Sequence, residues 1–599
     1  MKIALAEINM DRRGDAKRKE ALEFAKDAKA VFIDLGERAM EAKATETVAM
    51  VLIKMCDRAA GPKVAKEALK FSRESANICQ ELGNKRGEAK ALYLLFCSKM
   101  YGEASFRDAL KYAKEAAALF AEVGSRWWQG TVLRTIADWA QMRGQGSDGI
   151  IYAEESLAIL RELEENSGGL RRGWEASSLA TLVGALSSTE DGIERAVEVA
   201  KEGVDRLKST GDTLTKAQAW NILMSAHMLN EEYEEALNAA EESLSLYRDL
   251  GQKSCEVRMM REISELQLRL DRKSAALASY HEGIALAQEI GDVRLHARNL
   301  SAIVRLHLDE KEPEKALEVA AEAISLYQQC EDKEGEGVVL LNMSTAHVYM
   351  DSVNAAIAEA EEAKALFQAM ESRDREAQAN FFLADILLRS ERPEQALQAA
   401  VAARGLFSKL GSKADEASML HMVAQCNMAI ADKASDSVQK DDARRCRKLF
   451  LAALRAAKEG LGIARRLPIE KDPKRMLLSG LLMAVAQAQG ILGKYKEALK
   501  LIAEIQRNAT EFMDREGECN ALLLLAQVHH WNEKPDDARA FASQALELAS
   551  KLQDEYLASL AADFLSQLDP QMKQANAAAG PQAVPSAAYS AAGGAESGA

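Results

Sequence analysis

Proline is scarce in this chain, with nine residues in 599, too few to interrupt a long succession of helices. Aromatic residues make up only 5%, and strand-type alternation of apolar residues is hard to find, which counts against sheet. Cysteine occurs eight times, at Cys56, Cys79, Cys97, Cys255, Cys330, Cys426, Cys446 and Cys519. With no C-x-x-C pair and no clustering, these excluded a disulfide framework and a metal site and read as reduced core thiols. No apolar stretch reaches the length of a membrane span, and the opening M-K-I-A-L-A-E-I-N-M-D-R-R is too short for a signal peptide. The expectation is a cytoplasmic chain without membrane insertion, in which the N-x-S/T matches at Asn299, Asn342 and Asn508 carry no glycan.

Catalytic signatures are missing too. A search for a P-loop, a dinucleotide fingerprint, H-E-x-x-H and G-x-S-x-G finds nothing in a suitable context, so neither an enzyme nor a cofactor is expected. The net charge of -15 argues against attraction to nucleic acid or anionic membrane by overall charge. The run D-D-A-R-R-C-R-K-L-F from Asp441 is basic but short, and reads as a helix start of mixed charge rather than a nucleic-acid contact.

What the chain does have is a period. Leu246, Leu286, Leu326, Leu366 and Leu406 recur every forty residues, and Gly251, Gly291 and Gly411 close three of those units. A period in this range marks stacked repeats, each burying its apolar face only against its neighbours. In the unit beginning at Gly211, apolar periodicity runs to Leu229 and resumes from Glu232 to Leu250, which predicts two antiparallel helices of about seventeen residues, each roughly 25 Å long. Glycine just past a helix permits a left-handed cap. Pro313, Pro393 and Pro535 each stand three residues before an alanine, Ala316, Ala396 or Ala538, as proline does in a first helical turn. Seven residues further come Ala323, Ala403 and Ala545, with Ala356 and Ala363 in the unit between, small residues on one face that let a neighbouring helix approach.

These features resemble the tetratricopeptide repeats, whose helix pairs carry small residues at those two places. Trp220 stands where that family prefers tryptophan, and Tyr233 where it has a turn tyrosine. The forty-residue period is similar to the longer-helix subclass found in the adaptor LGN, kinesin light chains and some bacterial signalling regulators. The resemblance implies an all-α, right-handed superhelical solenoid of antiparallel helix pairs. Carried outward, the turn position falls at Gly36, Gly83, Gly124, Glu164, Gly211, Gly251, Gly291, Glu331, Glu371, Gly411, Lys471, Glu511 and Lys551. Residues 1–36 then form a truncated first repeat or N-terminal cap, and 37–551 about twelve helix pairs with a polar insertion of twenty residues near 431–450. Residues 552–570 form a capping helix, and 571–599, composed mainly of Ala, Gly, Ser and Pro, a disordered tail.

In proteins that this chain resembles, the first helix of each pair lines a concave groove. The corresponding positions here are Gln218, Asn221 and Ser225, then Arg258, Arg261 and Glu265, then Arg298, Ser301 and Arg305. Further along they are Gln378, Phe381 and Asp385, then His421 and Gln425, then Leu481 and Val485. Four arginines on two adjacent repeats can clamp an acidic, phosphorylated or C-terminal segment through their planar forks. The alternative is internal pairing of Arg258 and Arg261 with Glu262, Glu265 or acids of the next repeat. His227, His307 and His347 share one repeat register and read as packing positions rather than metal ligands. Trp127 and Trp128 read either as an exposed anchor or as one core and one half-covered indole. The function expected is a non-enzymatic scaffold or adaptor for protein and peptide partners, with a regulatory sensor arm for a small molecule or separate effector as the alternative.

Overall fold

Apolar residues at three- and four-residue spacing fold this chain into helices, and in the computed structural model twenty-seven occur among the described residues. Those residues are 1–10, 15–56, 61–102, 106–166, 173–189, 192–208, 212–435, 440–467 and 472–568; no strand occurs among them. The expected turns at Gly211 and Lys471 and the tail 571–599 lie outside them. The order begins α1 (Lys2–Met10), α2 (Asp15–Asp34), α3 (Arg38–Met55), α4 (Gly61–Glu81), α5 (Lys85–Tyr101), α6 (Phe106–Glu122), α7 (Arg126–Met142), α8 (Gly146–Asn166) and α9 (Trp174–Ser187). It continues α10 (Ile193–Leu207), α11 (Thr213–Leu229), α12 (Tyr233–Asp249), α13 (Lys253–Arg269), α14 (Lys273–Glu289), α15 (Val293–Asp309), α16 (Pro313–Gln329), α17 (Lys333–Tyr349) and α18 (Val353–Ala369). It ends α19 (Arg373–Arg389), α20 (Pro393–Leu410), α21 (Lys413–Ser435), α22 (Lys440–Ala464), α23 (Asp472–Ile491), α24 (Tyr495–Glu511), α25 (Arg515–Trp531), α26 (Pro535–Leu552) and α27 (Glu555–Leu568). None of the described helices is long and apolar enough to cross a membrane.

Every central helix stops in the same way. Glu231, Gly251, Asp271, Gly291, Lys311, Glu331, Asp351, Glu371, Glu391 and Gly411 all have φ between 53° and 78°, one left-handed residue every twenty. At Gly251 the amide donates to the Arg248 carbonyl at 2.9 Å, and the next amide, of Gln252, reaches back to Tyr247 at 3.0 Å, satisfying carbonyls that the helix end leaves open. The sequence period of forty is therefore two structural half-repeats of twenty. In this central run glycine takes three of the ten positions, Gly251, Gly291 and Gly411, all between pairs, and the other seven hold a strained non-glycine residue.

The chain divides into two compact units, Met1–Asp309 with Glu318–Gly335, and Glu310–Leu317 with Glu336–Ala599. Within each, consecutive helices pack antiparallel, and the alanines predicted for close approach are buried: Ala236, Ala276, Ala316, Ala356 and Ala396 are all 0% exposed. Where serine replaces alanine it is satisfied across the pair, as Ser243 donates to the Ala217 carbonyl at 2.9 Å. Second-neighbour packing joins odd-numbered helices, α7 to α9, α9 to α11 and α13 to α15 in the first unit, and α19 to α21, α21 to α23 and α23 to α25 in the second. Like helices that touch lie on the inside of a curve, so in each unit the odd helices form the inner face and the even ones the outer.

Three turn positions, Glu164, Glu511 and Lys551, differ from the sequence expectation. Glu164 lies inside α8, which runs to Asn166. Past the insertion, α21 and α22 lengthen to 23 and 25 residues, and the left-handed turns resume at Gly493, Met513, Glu533 and Gln553. Met513 lies 102 residues after Gly411, so the inserted length is twenty-two residues, and the expected marks Glu511 and Lys551 fall two residues short of the turns.

A left-handed backbone costs a non-glycine residue about 1 kcal/mol. The space around Gly251 and Gly291 is open to a Cβ, so only φ opposes a side chain there. Glu331→Gly should therefore raise, and Gly251→Ala lower, unfolding free energy by about 1 kcal/mol in urea titrations.

Candidate functional site

The inner face of the first unit is built by the outward stripe of each odd helix. On α13 the buried positions Val257, Met260, Ser264 alternate with a stripe in which Arg258 is exposed and Arg261 and Glu265 are half-buried; on α15 Arg298 and Arg305 are exposed and Ser301 is half-buried. Gln218, Asn221 and Ser225 occupy the same stripe of α11, half-buried, with the Ser225 hydroxyl donating to the Asn221 carbonyl at 3.0 Å. The sequence register thus selects side chains that face one surface.

The four arginines divide into two kinds. Arg261 pairs with its neighbour Glu262 at 2.5 Å, and Arg305 reaches across to Glu265 of the preceding inner helix. Glu265 also accepts a hydrogen bond from the Tyr280 hydroxyl at 3.0 Å. Arg258 and Arg298 have no carboxylate partner among the described residues; Arg258 only donates to Cys255 Sγ at 3.0 Å. These two stand at one repeat position, forty residues apart. Beside Arg298 lies Tyr327, whose hydroxyl burial pushes up to about 12 while the guanidinium and Ser301 pull it the other way.

Tyr280 was not singled out by the sequence reading, yet it organises this face. Its repeat equivalents are Ala240, Ala320, Ala360 and Ala400, and it is fully buried where they are. One row away, Tyr247, Tyr327, Phe367 and Phe407 have Ala287 as their counterpart in the Tyr280 helix. The ring has moved two turns along α14, and from its new place the hydroxyl reaches Glu265. Both departures from the rows were visible in the aligned repeats.

On the inner stripe of α19, in the second unit, Arg375 donates to Gln378 at 3.1 Å, Phe381 and Phe382 meet edge to face at 5.9 Å, and Asp385 is neutralised by Arg389 at 2.8 Å. Leu481 and Val485 correct the expectation of an apolar groove end: they are 0% and 1% exposed and belong to the core. The two additional inserted residues rotate the register by about 200°, and the groove positions of α23 are the half-buried Met483 and Gln487. His421 keeps its place on α21, where its ring fills the space beside Gly480 of α23, and burial lowers its pKa to about 4.

Of the remaining sequence candidates, His227, Trp127 and Trp128 make packing contacts. His227 meets Glu232, the residue leading into α12, and that hydrogen bond holds the carboxyl below its usual range. Trp128 stacks on Phe120 at 5.5 Å and 13°, with Lys90 Nζ 5.2 Å from the indole centroid; Trp127 lies against Trp128 and Trp174 at 4.9 and 5.7 Å. Both indoles are half-buried, so neither is core and neither stands free. All eight cysteines are free thiols and six are buried; burial pushes Cys97 and Cys426 up to about 12, which suppresses the reactive thiolate.

No family model matches the chain, and no curated protein sequence matches it. Among solved structures, the chain is similar to a signal transduction ATPase with a tetratricopeptide repeat sensor from Pyrococcus horikoshii, at 12% identity and a TM-score of 0.44, covering 84% of this chain and 74% of that one. Yeast Tom70 is similar at 12% identity and a TM-score of 0.38, over 90% of this chain and 100% of its own. BtubC from P. vanneervenii shares 15% identity at a TM-score of 0.33, over 37% and 92%. All three scores lie below 0.5. Helix length, buried alanine rows and inner-helix stacking are observed in the chain itself. The repeat unit is tetratricopeptide-like. In these tetratricopeptide-like pairs the groove stripe is polar, and its two uncompensated charges are Arg258 and Arg298.

Two measurements check the site. Tyr280→Phe should lower stability by about 1 kcal/mol, since the carboxylate loses a donor, and Tyr280→Ala by about 3–5 kcal/mol, since a cavity opens as well. His421 is neutral when folded, so between pH 6.5 and 4 the unfolded chain takes up a proton that the folded one refuses, and stability falls with pH. His421→Gln should remove about 3 kcal/mol of that acid loss, read from denaturant midpoints across the range.

Proposed function

We propose that this chain is a non-catalytic scaffold that captures extended segments of partner proteins along its inner faces. The observation that carries the reading is the pair Arg258 and Arg298, exposed on adjacent inner helices without carboxylate partners, in a chain whose Asp and Glu outnumber Lys and Arg by 92 to 77. An acidic chain has ample means to neutralise a guanidinium, and at Arg261 and Arg305 it does so. Two planar forks without carboxylate partners on one surface present guanidinium N–H donors to an anion, the geometry that matches carboxylate or phosphate.

The spacing defines the ligand. Neighbouring helices pack about 8–10 Å apart, and an extended peptide advances about 3.3 Å per residue. The segment that satisfies both forks therefore carries anionic groups about three residues apart, as acidic or phosphorylated side chains or as one side chain and a C-terminal carboxylate. Gln218, Asn221 and Ser225 continue the surface with neutral hydrogen-bonding groups, which suits the polar remainder of such a segment. Gln378 and Phe381 offer the second unit a separate polar and aromatic contact of the same kind.

Reversal of both open arginines, Arg258→Glu with Arg298→Glu, should weaken capture of an acidic segment at least about tenfold, because attraction becomes repulsion. Arg261→Gln should change it less than about twofold, because that charge is already paired. Native partners recovered by proximity labelling, retested by calorimetry with each variant, provide the measurement. Equal loss for the paired and open arginines would remove the basis of the reading.

A further inference from the structure

The outer face of α22, in the second unit, is another place where cations stand without a carboxylate partner among the described residues. On this 25-residue helix, residues project outward at about 100° intervals, and sorting by angle gathers Arg444, Arg447, Lys448, Arg455 and Lys458 into one exposed sector, with exposed Arg466 in the turn past its end. None has a carboxylate partner among the described residues. The same sector holds two charges that are satisfied: Arg465 pairs with Glu504 of α24 at 2.7 Å, and Glu459 with Arg404 of α20. Those bridges fix α20, α22 and α24 side by side on the outer face, and α24 adds exposed Lys496, Lys500 and Arg507. The equivalent face of α12 carries Glu234, Glu235, Glu241 and Glu242, so the outer helices differ in the sign of their exposed charge and that of α22 is positive.

We infer that this face docks an acidic helical segment of a partner protein. The cations from Arg444 to Lys458 span roughly 21 Å along a strip one helix wide, and Arg466 stands in the turn that follows, a footprint that suits a second helix lying lengthwise. Between them stand exposed Leu451 and Gly462, an apolar contact and a gap without a side chain, where a packed helix comes close. Arginine predominates, and its fork favours carboxylates. A nucleic-acid strand would call for aromatic platforms, and the aromatic side chain of this helix, Phe450, is 9% exposed and faces the core. A membrane surface would call for an apolar face turned outward, whereas the apolar face of α22 is buried against α21 and α23.

The test uses the full-length protein and a fluorescein-labelled glutamate–alanine peptide of about twenty residues, read by anisotropy. Single-stranded DNA of about twenty nucleotides and phosphatidylcholine vesicles with about 30% phosphatidylserine serve as competing polyanions. In the Arg258→Glu, Arg298→Glu background, which removes inner-face capture, the peptide should still bind, and adding Arg447→Glu with Arg455→Glu should weaken it at least about tenfold. Thermal melting of each variant establishes folding; should the reversal fail to fold, Arg447→Gln with Arg455→Gln replaces it and should weaken binding about threefold. An unchanged affinity after α22 is altered overturns the inference, as does tighter binding of DNA or vesicles that is lost with the same changes. The groove variant separates this surface from the inner face, so failure at one leaves the other standing.

Discussion

The phase of the helix turn governs this molecule. A left-handed residue every twenty positions fixes helix length at seventeen, and seventeen residues bring each helix back against the previous one with the same side chains facing inward. Buried alanine rows, inner polar stripes and outer charged faces are all consequences of that count. When the count shifts, faces exchange. Two residues on a helix correspond to about 200°, enough to move Leu481 from a groove position to the core and to bring Met483 out in its place.

Against so regular a background, departures carry the chemistry. Tyr280 occupies a row of alanines, and Ala287 leaves the aromatic row that Tyr247 and Tyr327 continue. The exchange retains bulk in the core while placing a hydroxyl against Glu265, which then also receives Arg305. That local network uses up an acid that would otherwise be free to attract the other inner cations. Arg258 and Arg298 lie on the same inner face without a carboxylate partner among the described residues.

Legibility in the sequence followed the range of the interaction involved. Helix length, small-residue rows, free thiols and the face to which Arg258 and Arg298 belong are set by spacing within one repeat, and spacing is written in the chain. Pairing of Arg305 with Glu265 spans forty residues and depends on rotamers, so the sequence offered only alternatives. The half-repeat of twenty was hidden because seven of the ten central turns carry Glu, Asp or Lys in place of glycine, a strain that composition does not reveal. Across the insertion, a twenty-residue estimate replaced twenty-two, and helix register is unforgiving of small counts.

The run from Asp441 shows why averaging along a sequence loses electrostatics. Read consecutively, D-D-A-R-R-C-R-K is a mixture of signs with a cysteine inside it. Folded on a helix, Cys446 turns to the core while Arg444, Arg447 and Lys448 share the solvent side with Arg455 and Lys458. At physiological salt a charge is felt over about 8 Å, so a partner meeting that side encounters a local cationic surface and little of the overall charge of -15. Net charge is a sum over the molecule, whereas recognition samples one face at a time. A chain can therefore be acidic in bulk and still select anions wherever its repeats break step.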